Sequence, residues 1–322
     1  MPSLSKRLAF FALAVTMTAC SPPPAAPPAA GAKPATVQKP VAALPDTRVV
    51  MLGTGTPNAD PTRSGPAVAV IAKGKVYLVD AGAGIVRRAA AAKESGVKEL
   101  EMPALNRVFI THLHSDHTVG MPDLMFSPWV LDRKDPLAVV GPPGVAAMVE
   151  HLSLAYTEDI DIRLHGLEPS NKTGYRAIAE EVQPGVVYRG DGMTVTAFPV
   201  PHGNWKHSYG YAFETDERRI VVSGDTIASD EVVAQCHGCD VLVHEVYSAE
   251  AFKKRPAEWQ LYHSHFHTST VELAGIAKRA KPKLLVLYHQ LYWGSTDADL
   301  LREIREAGYD GEVVSAADLG VY

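Results

Sequence analysis

Along residues 48–315, short apolar runs rich in valine, isoleucine and leucine alternate with longer amphipathic stretches. Runs of four to eight such residues, bounded by Gly, Pro, Asn or Asp, read as strands. They predict strands at Arg48–Gly53, Ala67–Ile71, Val76–Asp80, Arg107–Thr111, Leu137–Gly141, Thr194–Val200, Tyr209–Glu214, Arg219–Ser223, Asp240–Val246, Lys283–His289 and Glu312–Ser315. Helices are predicted at Ile85–Glu94, Gly144–Ala155, Ser229–Cys236, Ser269–Ala280 and Thr296–Ala307, with Ser229, Ser269 and Thr296 as caps. The strands fall into two groups, before and after about residue 170, each with its own helices. The fold class is α/β, with two sheets face to face and helices outside. No fixed-period repeat is visible.

The N-terminus follows a different pattern. Lys6 and Arg7 precede an apolar run, Leu8 to Ala19, too short to cross a bilayer of ~30 Å and shaped like a secretory signal. The run closes in Met17-Thr18-Ala19-Cys20, which resembles the lipobox of bacterial lipoproteins. That resemblance implies removal of residues 1–19 and attachment of a lipidated Cys20 to a membrane; Ser21 fits the outer membrane facing the periplasm. The alternative is an ordinary signal cleaved near Ala19, leaving a soluble periplasmic or secreted protein. Residues 20–46, almost all Pro, Ala, Lys, Thr, Val and Gln after the first two, read as an extended tether, and 47–322 as the folded domain.

At 46% hydrophobic and 21% charged, the 322-residue chain carries enough apolar material for a sizeable core, which excludes disorder and fibrous architectures. A net charge of −5 argues against a nucleic-acid partner held by bulk charge. Cys236 and Cys239 could close a small disulfide loop, but the preferred expectation is that Cys239 packs as a free, buried hydrophobe. Two cysteines cannot build a four-ligand zinc site.

The strongest chemical signal is Thr111-His112-Leu113-His114-Ser115-Asp116-His117, directly after the strand from Arg107. Strand periodicity points His112 and His114 to one side, and the turn after them can carry Asp116 and His117 round a second centre. Imidazole mixed with carboxylate suits zinc, with manganese or iron as alternatives. Further polar groups stand where later apolar runs break: His202 in Pro201-His202-Gly203, Asp225 in Ser223-Gly224-Asp225-Thr226, and His289 in Tyr288-His289-Gln290. Strand ends on one rim are where α/β sheets gather ligands.

These motifs resemble the metallo-β-lactamase superfamily over about residues 48–320. The likeness implies a four-layer αββα sandwich and a dinuclear site, with His112, His114 and His202 on one metal, Asp116, His117 and His289 on the other, and Asp225 bridging. Gly53-Thr54-Gly55-Thr56-Pro57, Ser223-Gly224-Asp225-Thr226, His244-Glu245 and His267-Thr268-Ser269-Thr270 are similar to the ribonuclease Z and arylsulfatase-like branch. Bacterial transfer-RNA processing members of that branch project a long basic arm where this chain has only Thr215-Asp216-Glu217-Arg218.

Two such metals lower the pKa of a shared water towards ~7 and present it as a bridging hydroxide nucleophile. Four metal charges less those of Asp116, Asp225 and the hydroxide leave +1, which favours an anionic ester. Asp116 can also orient the nucleophile. His267 is the candidate proton donor to the leaving group, with Glu245 orienting it. His263 and His265 alternate with His267 and could line the same pocket, but places behind the site or at the surface are the preferred expectation for both. Trp205, Tyr209, Trp259, Tyr262, Tyr292 and Trp293 are candidates for an aromatic wall, although packing roles are the commoner alternative. The preferred function is a zinc hydrolase of small anionic esters, acting as a phosphodiesterase or arylsulfatase. The alternatives are a ribonuclease Z-type endonuclease, a lactonase or β-lactamase-type acyl hydrolase, and a non-catalytic zinc-binding surface lipoprotein. A homodimer is compatible with the sequence. Cys20→Ser is expected to move the protein from the membrane fraction to the soluble periplasm; an unchanged membrane fraction removes the lipid anchor.

Overall fold

The computed structural model describes residues 45–322; the expected signal segment, Cys20 and most of the expected tether lie outside the described residues. In the first sheet, β1 (Arg48–Gly53), β2 (Ala67–Ala72), β3 (Lys75–Val79), β4 (Arg107–Phe109), β5 (Leu137–Gly141) and β6 (Ala177–Glu181) lie in chain order. The second holds β7 (Gly185–Gly190), β8 (Met193–Pro199), β9 (Tyr209–Glu214), β10 (Arg219–Val222), β11 (Val241–Tyr247), β12 (Leu284–Leu291) and β13 (Val313–Ser315), again as sequential neighbours. The first sheet is accompanied by α1 (Ile85–Glu94), α2 (Ser115–Thr118), α3 (Met121–Val130), α4 (Val145–Ala155) and α5 (Thr157–His165). With the second go α6 (Asp230–Cys236), α7 (Ala249–Phe252), α8 (Ala257–Phe266), α9 (Thr270–Ala280) and α10 (Asp297–Glu306).

Residue alternation builds the layers. In β1, Val49 and Met51 enter the core between the sheets, while Val50 and Leu52 enter the core under α1, α3 and α4. In β12, Val286 and Tyr288 face the other sheet, whereas Leu285 and Leu287 pack under α6, α9 and α10. Strands covered on both faces have no solvent side, so their sequences are near-continuous apolar runs rather than alternating ones. The result is the expected αββα sandwich. The expected caps are present too: Ser269 with Glu272 and Thr296 with Asp299 form reciprocal capping boxes, and Ser229 accepts from the Glu231 N–H.

The differences from the sequence expectation have physical causes. The edge strands β6 and β7 were not anticipated, because a strand with one solvent side carries residues such as Glu180, Glu181 and Arg189 and lacks an apolar run. Pro122 and Pro128 disguised α3; the first lies at the helix start, where a missing N–H costs nothing. No residue of α5 is fully buried; only Ile160 and Leu164 pack, partly exposed, against the core, which leaves a weak apolar signal in a helix rich in charged residues. Cys236 and Cys239 are joined in a disulfide, which corrects the expectation of a free thiol, and both are buried.

Buried Arg133 ties α3 to the segments at Leu105 and Gly174. Its guanidinium donates to the carbonyls of Leu105, Leu124, Met125 and Gly174 at 2.6–2.9 Å. Arg133→Leu strands those acceptors and is expected to cost about 3 kcal/mol in urea unfolding. A loss below about 1 kcal/mol shows that the carbonyls find other partners.

Candidate metal centre

The second sheet's pairing brings most of the site together. β8 and β10 both run antiparallel to β9, and β10, β11 and β12 are parallel, so the C-terminal ends of β8, β10, β11 and β12 share one rim. His202 follows β8, Asp225 follows β10, Glu245 lies in β11 and His289 in β12. His289 is the extra residue of a β-bulge opposite Glu245/Val246, with φ +45°, and the bulge re-aims its ring. Asp225 follows Gly224 at φ +63°, where a Cβ would stand 2.7 Å from the Tyr209 carbonyl oxygen. From the first sheet come His112 and His114 after β4, and Asp116 and His117 from the short helix α2, which replaces the expected turn.

All seven expected ligand residues converge. His112 Nε2 and His202 Nε2 lie 3.0 and 3.1 Å from His114 Nδ1. On the other side, His289 Nε2 is 3.2 Å from Asp116 Oδ2 and 3.4 Å from Asp225 Oδ2, and His117 Nε2 is 3.3 Å from Asp225 Oδ2. Donor atoms of His112, His114, His202 and Asp225 lie within 4.8 Å of one another, as do those of Asp116, His117 and His289. Asp225 touches both groups. Its Oδ1 and His117 Nε2 are buried without a hydrogen-bond partner, as ligand atoms turned towards a cation would be.

The outward nitrogens are fixed by a second set of contacts. His117 Nδ1 lies 2.7 Å from Asp80 Oδ2, His202 Nδ1 donates to the Phe266 carbonyl at 2.7 Å, and His112 Nδ1 meets Thr111 Oγ1 at 3.0 Å. Such partners set tautomer and ring orientation, leaving the other nitrogen free to ligate. Trp205 Nε1 donates to His114 Nε2 at 2.8 Å. Asp80 was missed by sequence reasoning, although a buried carboxylate directly after an apolar strand is the signal that could have found it.

Burial keeps His112 well below the usual imidazole range, lowers His114 and pushes His202 down to about 3, so this trio is neutral and ready to ligate. Burial also opposes a proton on His117, yet Asp225, Asp80 and Asp116 outweigh it and hold that ring well above its usual value. His289 is raised by Asp225 and Asp116 against the same opposition. Burial works against ionised Asp225, but His289, His117 and His267 hold its carboxyl well below the usual range. The pocket therefore demands positive charge, and the donor set fits two divalent cations.

Beside the cluster, His267 Nδ1 lies 3.4 Å from Glu245 Oε1 and 3.9 Å from Asp225 Oδ2. Glu245 is fully buried and accepts from the backbone N–H groups of Thr226 and Thr268. A cavity of about 340 Å³ opens over Asp116, Asp225, His267 and His289, walled by Trp259, Tyr262 and Trp293. His263 lines it as well, which corrects its expected place behind the site or at the surface, whereas His265 is exposed. Of the other aromatic candidates, Tyr209 is in the inter-sheet core and the Tyr292 hydroxyl donates to Asp297. Arg255 and Asn58 also line the cavity and were not anticipated.

A family description, the beta-lactamase superfamily domain, matches residues 75–290. The chain belongs to the metallo-β-lactamase superfamily. Within it, the chain is 30% identical over 276 residues to a ribonuclease Z of Mycobacterium bovis (strain BCG / Pasteur 1173P2), covering 84% of this chain and 96% of that protein. A ribonuclease Z of Mycobacterium sp. (strain KMS) is 34% identical over 245 residues, covering 76% and 84%. The crystal structure of the metallo-beta-lactamase fold protein YhfI from Bacillus subtilis superposes with a TM-score of 0.66 at 18% identity, covering 86% of this chain and 98% of that one, a likeness of fold. As a metallo-β-lactamase superfamily hydrolase with a His/Asp metal cluster, the protein should depend on Asp225 for both ions. Asp225→Ala is expected to lower bound metal after dialysis from about two ions per chain to below about one half, by elemental analysis. Retention of both ions removes the bridging role.

Proposed function

We propose that this metal-dependent hydrolase is a phosphodiesterase of the ribonuclease Z type. The observation that carries the reading is the convergence of His112, His114, His117 and His202 with Asp116, Asp225 and His289 in a chain similar to ribonuclease Z over most of its length. Two divalent ions held there, zinc by the donor chemistry, supply a water of lowered pKa and neutralise charge on the substrate's oxygens. Asp116 is placed to accept a hydrogen bond from the attacking water and orient it towards phosphorus.

The leaving oxygen needs one proton. Burial pushes Glu245 well above the usual carboxyl range, Asp225 adding to it, and burial takes His267 down to about 4. His267 Nδ1 lies 3.4 Å from Glu245 Oε1 and its ring lines the cavity, so His267 is placed to hand a proton to the leaving oxygen while Glu245 orients the ring and balances its charge. The anchored backbone contacts of Glu245 keep the pair in register.

The short hairpin Thr215–Arg218 between β9 and β10 favours small diesters over structured RNA. Yet the M. bovis ribonuclease Z matches over 96% of its own length, so hairpin length alone does not set this chain apart from every ribonuclease Z. The likeness to ribonuclease Z thus supports phosphodiesters over sulfate esters. We further propose that the enzyme works outside the cytoplasm, tethered through Cys20.

The test compares the zinc-loaded protein on bis(p-nitrophenyl) phosphate, p-nitrophenyl sulfate and a precursor tRNA. The diester is expected to be cut at least tenfold more efficiently than the sulfate, and discrete 3′ cleavage of the RNA would extend the reading to RNA processing. Preference for the sulfate overturns it. His267→Ala is expected to keep its metal and lose about 10²-fold or more in kcat on esters with poor leaving groups; loss of metal would make His267 a ligand instead.

A further inference from the structure

The cavity over the cluster contains a cation that the hydrolytic step does not use. Arg255, between α7 and α8, lines it beside Asp225 and His267. Its guanidinium carbon lies 5.3 Å from the ring centroid of Trp293 and 5.7 Å from that of Trp259, so two indoles flank it. Arg48, Arg63, Arg219 and Arg302 each pair with a carboxylate, but Arg255 forms no such pair among the described residues. Its Nε is buried and has no hydrogen-bond partner.

A packing role alone leaves that arrangement unexplained. A buried donor without a partner is costly. An unpaired guanidinium beside a centre that itself collects cations adds repulsion, which an anion arriving with the substrate would relieve. Charge counting gives the same result. Two divalent ions against Asp116 and Asp225 leave two positive charges, which one phosphodiester and one hydroxide neutralise; the charge of Arg255 is left over. Arginine's planar fork suits the oxygens of a phosphate, and Trp259, 45% exposed, brings an accessible indole beside it.

We infer that Arg255 receives a second phosphate of the substrate, so that the enzyme selects nucleotide diesters bearing a further phosphate beyond the scissile one. The inference rests on the phosphodiesterase reading and narrows it to nucleotide chains or their ends. Arg255 is then a specificity-determining residue and takes no part in bond cleavage.

The experiment compares thymidine 5′-(p-nitrophenyl phosphate) with and without a 3′-phosphate on zinc-loaded protein, parent against Arg255→Gln. The expected kcat/KM advantage of the 3′-phosphorylated ester is about tenfold in the parent, expressed in KM, and close to onefold in the variant. Arg255→Lys, which keeps the charge, is expected to recover part of it, separating lost charge from lost packing. An equal advantage in parent and Arg255→Gln, or none in the parent, overturns the inference. Binding gives an independent readout: thymidine 3′,5′-bisphosphate is titrated against thymidine 5′-monophosphate, followed by the fluorescence of the flanking tryptophans. If neither ester is cut, the phosphodiesterase reading fails. The bisphosphate preference, present in the parent and lost in Arg255→Gln, then still supports the Arg255 assignment, and its absence overturns it.

Discussion

Every other feature of the site answers to the crowding of two ionised carboxylates and five imidazoles into one buried space. Asp116 and Asp225 stay ionised only because positive charge faces them, here protons on His117 and His289. Divalent cations would satisfy the same demand more fully, since direct ligation would replace contacts of 3.2–3.5 Å. Asp225 matters most in this balance, being the carboxylate within reach of both donor groups.

That crowding explains the unusual backbone around it. Side chains from both sheets can meet at one rim only where strands end or bend, and the chain does both. Gly224 turns left-handed against Tyr209, His289 bulges out of β12, and Asp80 takes φ +60° so that it can reach His117 and Thr111 together. Strained residues of this kind persist where the surroundings over-determine them. Here the surroundings are the two sheets, packed through Phe109, whose ring centroid lies 5.4 Å from that of Tyr211 and 5.6 Å from that of Phe213.

The wall of the cavity is built by different means. The segment between α7 and α8, α8 itself and the segment after β12 supply Arg255, Trp259, Tyr262, His263 and Trp293, and these hold one another by ring contacts rather than by burial in a core. In the proposed reading the strand ends carry the chemistry and this wall meets the substrate, so substrate range could change without disturbing the metal-binding cluster.

The layered α/β fold and the seven residues that converge in the cluster were legible in the chain alone, because both are written in local patterns: apolar runs with period-two burial, and polar residues where those runs break. His112 to His117 announce themselves by density; His202, Asp225 and His289 by position. Only the tertiary structure decided which of the other residues matter. Asp80 looked like an ordinary strand end until β4 brought Thr111 and His117 onto it. The edge strands β6 and β7 and the mostly polar helix α5 carry only a weak apolar signal because solvent takes one of their sides. Arg255 resembled any charged surface residue, for its setting is a cavity that no local pattern encodes, whereas the alternation of His263 with His267 left a place in the pocket open.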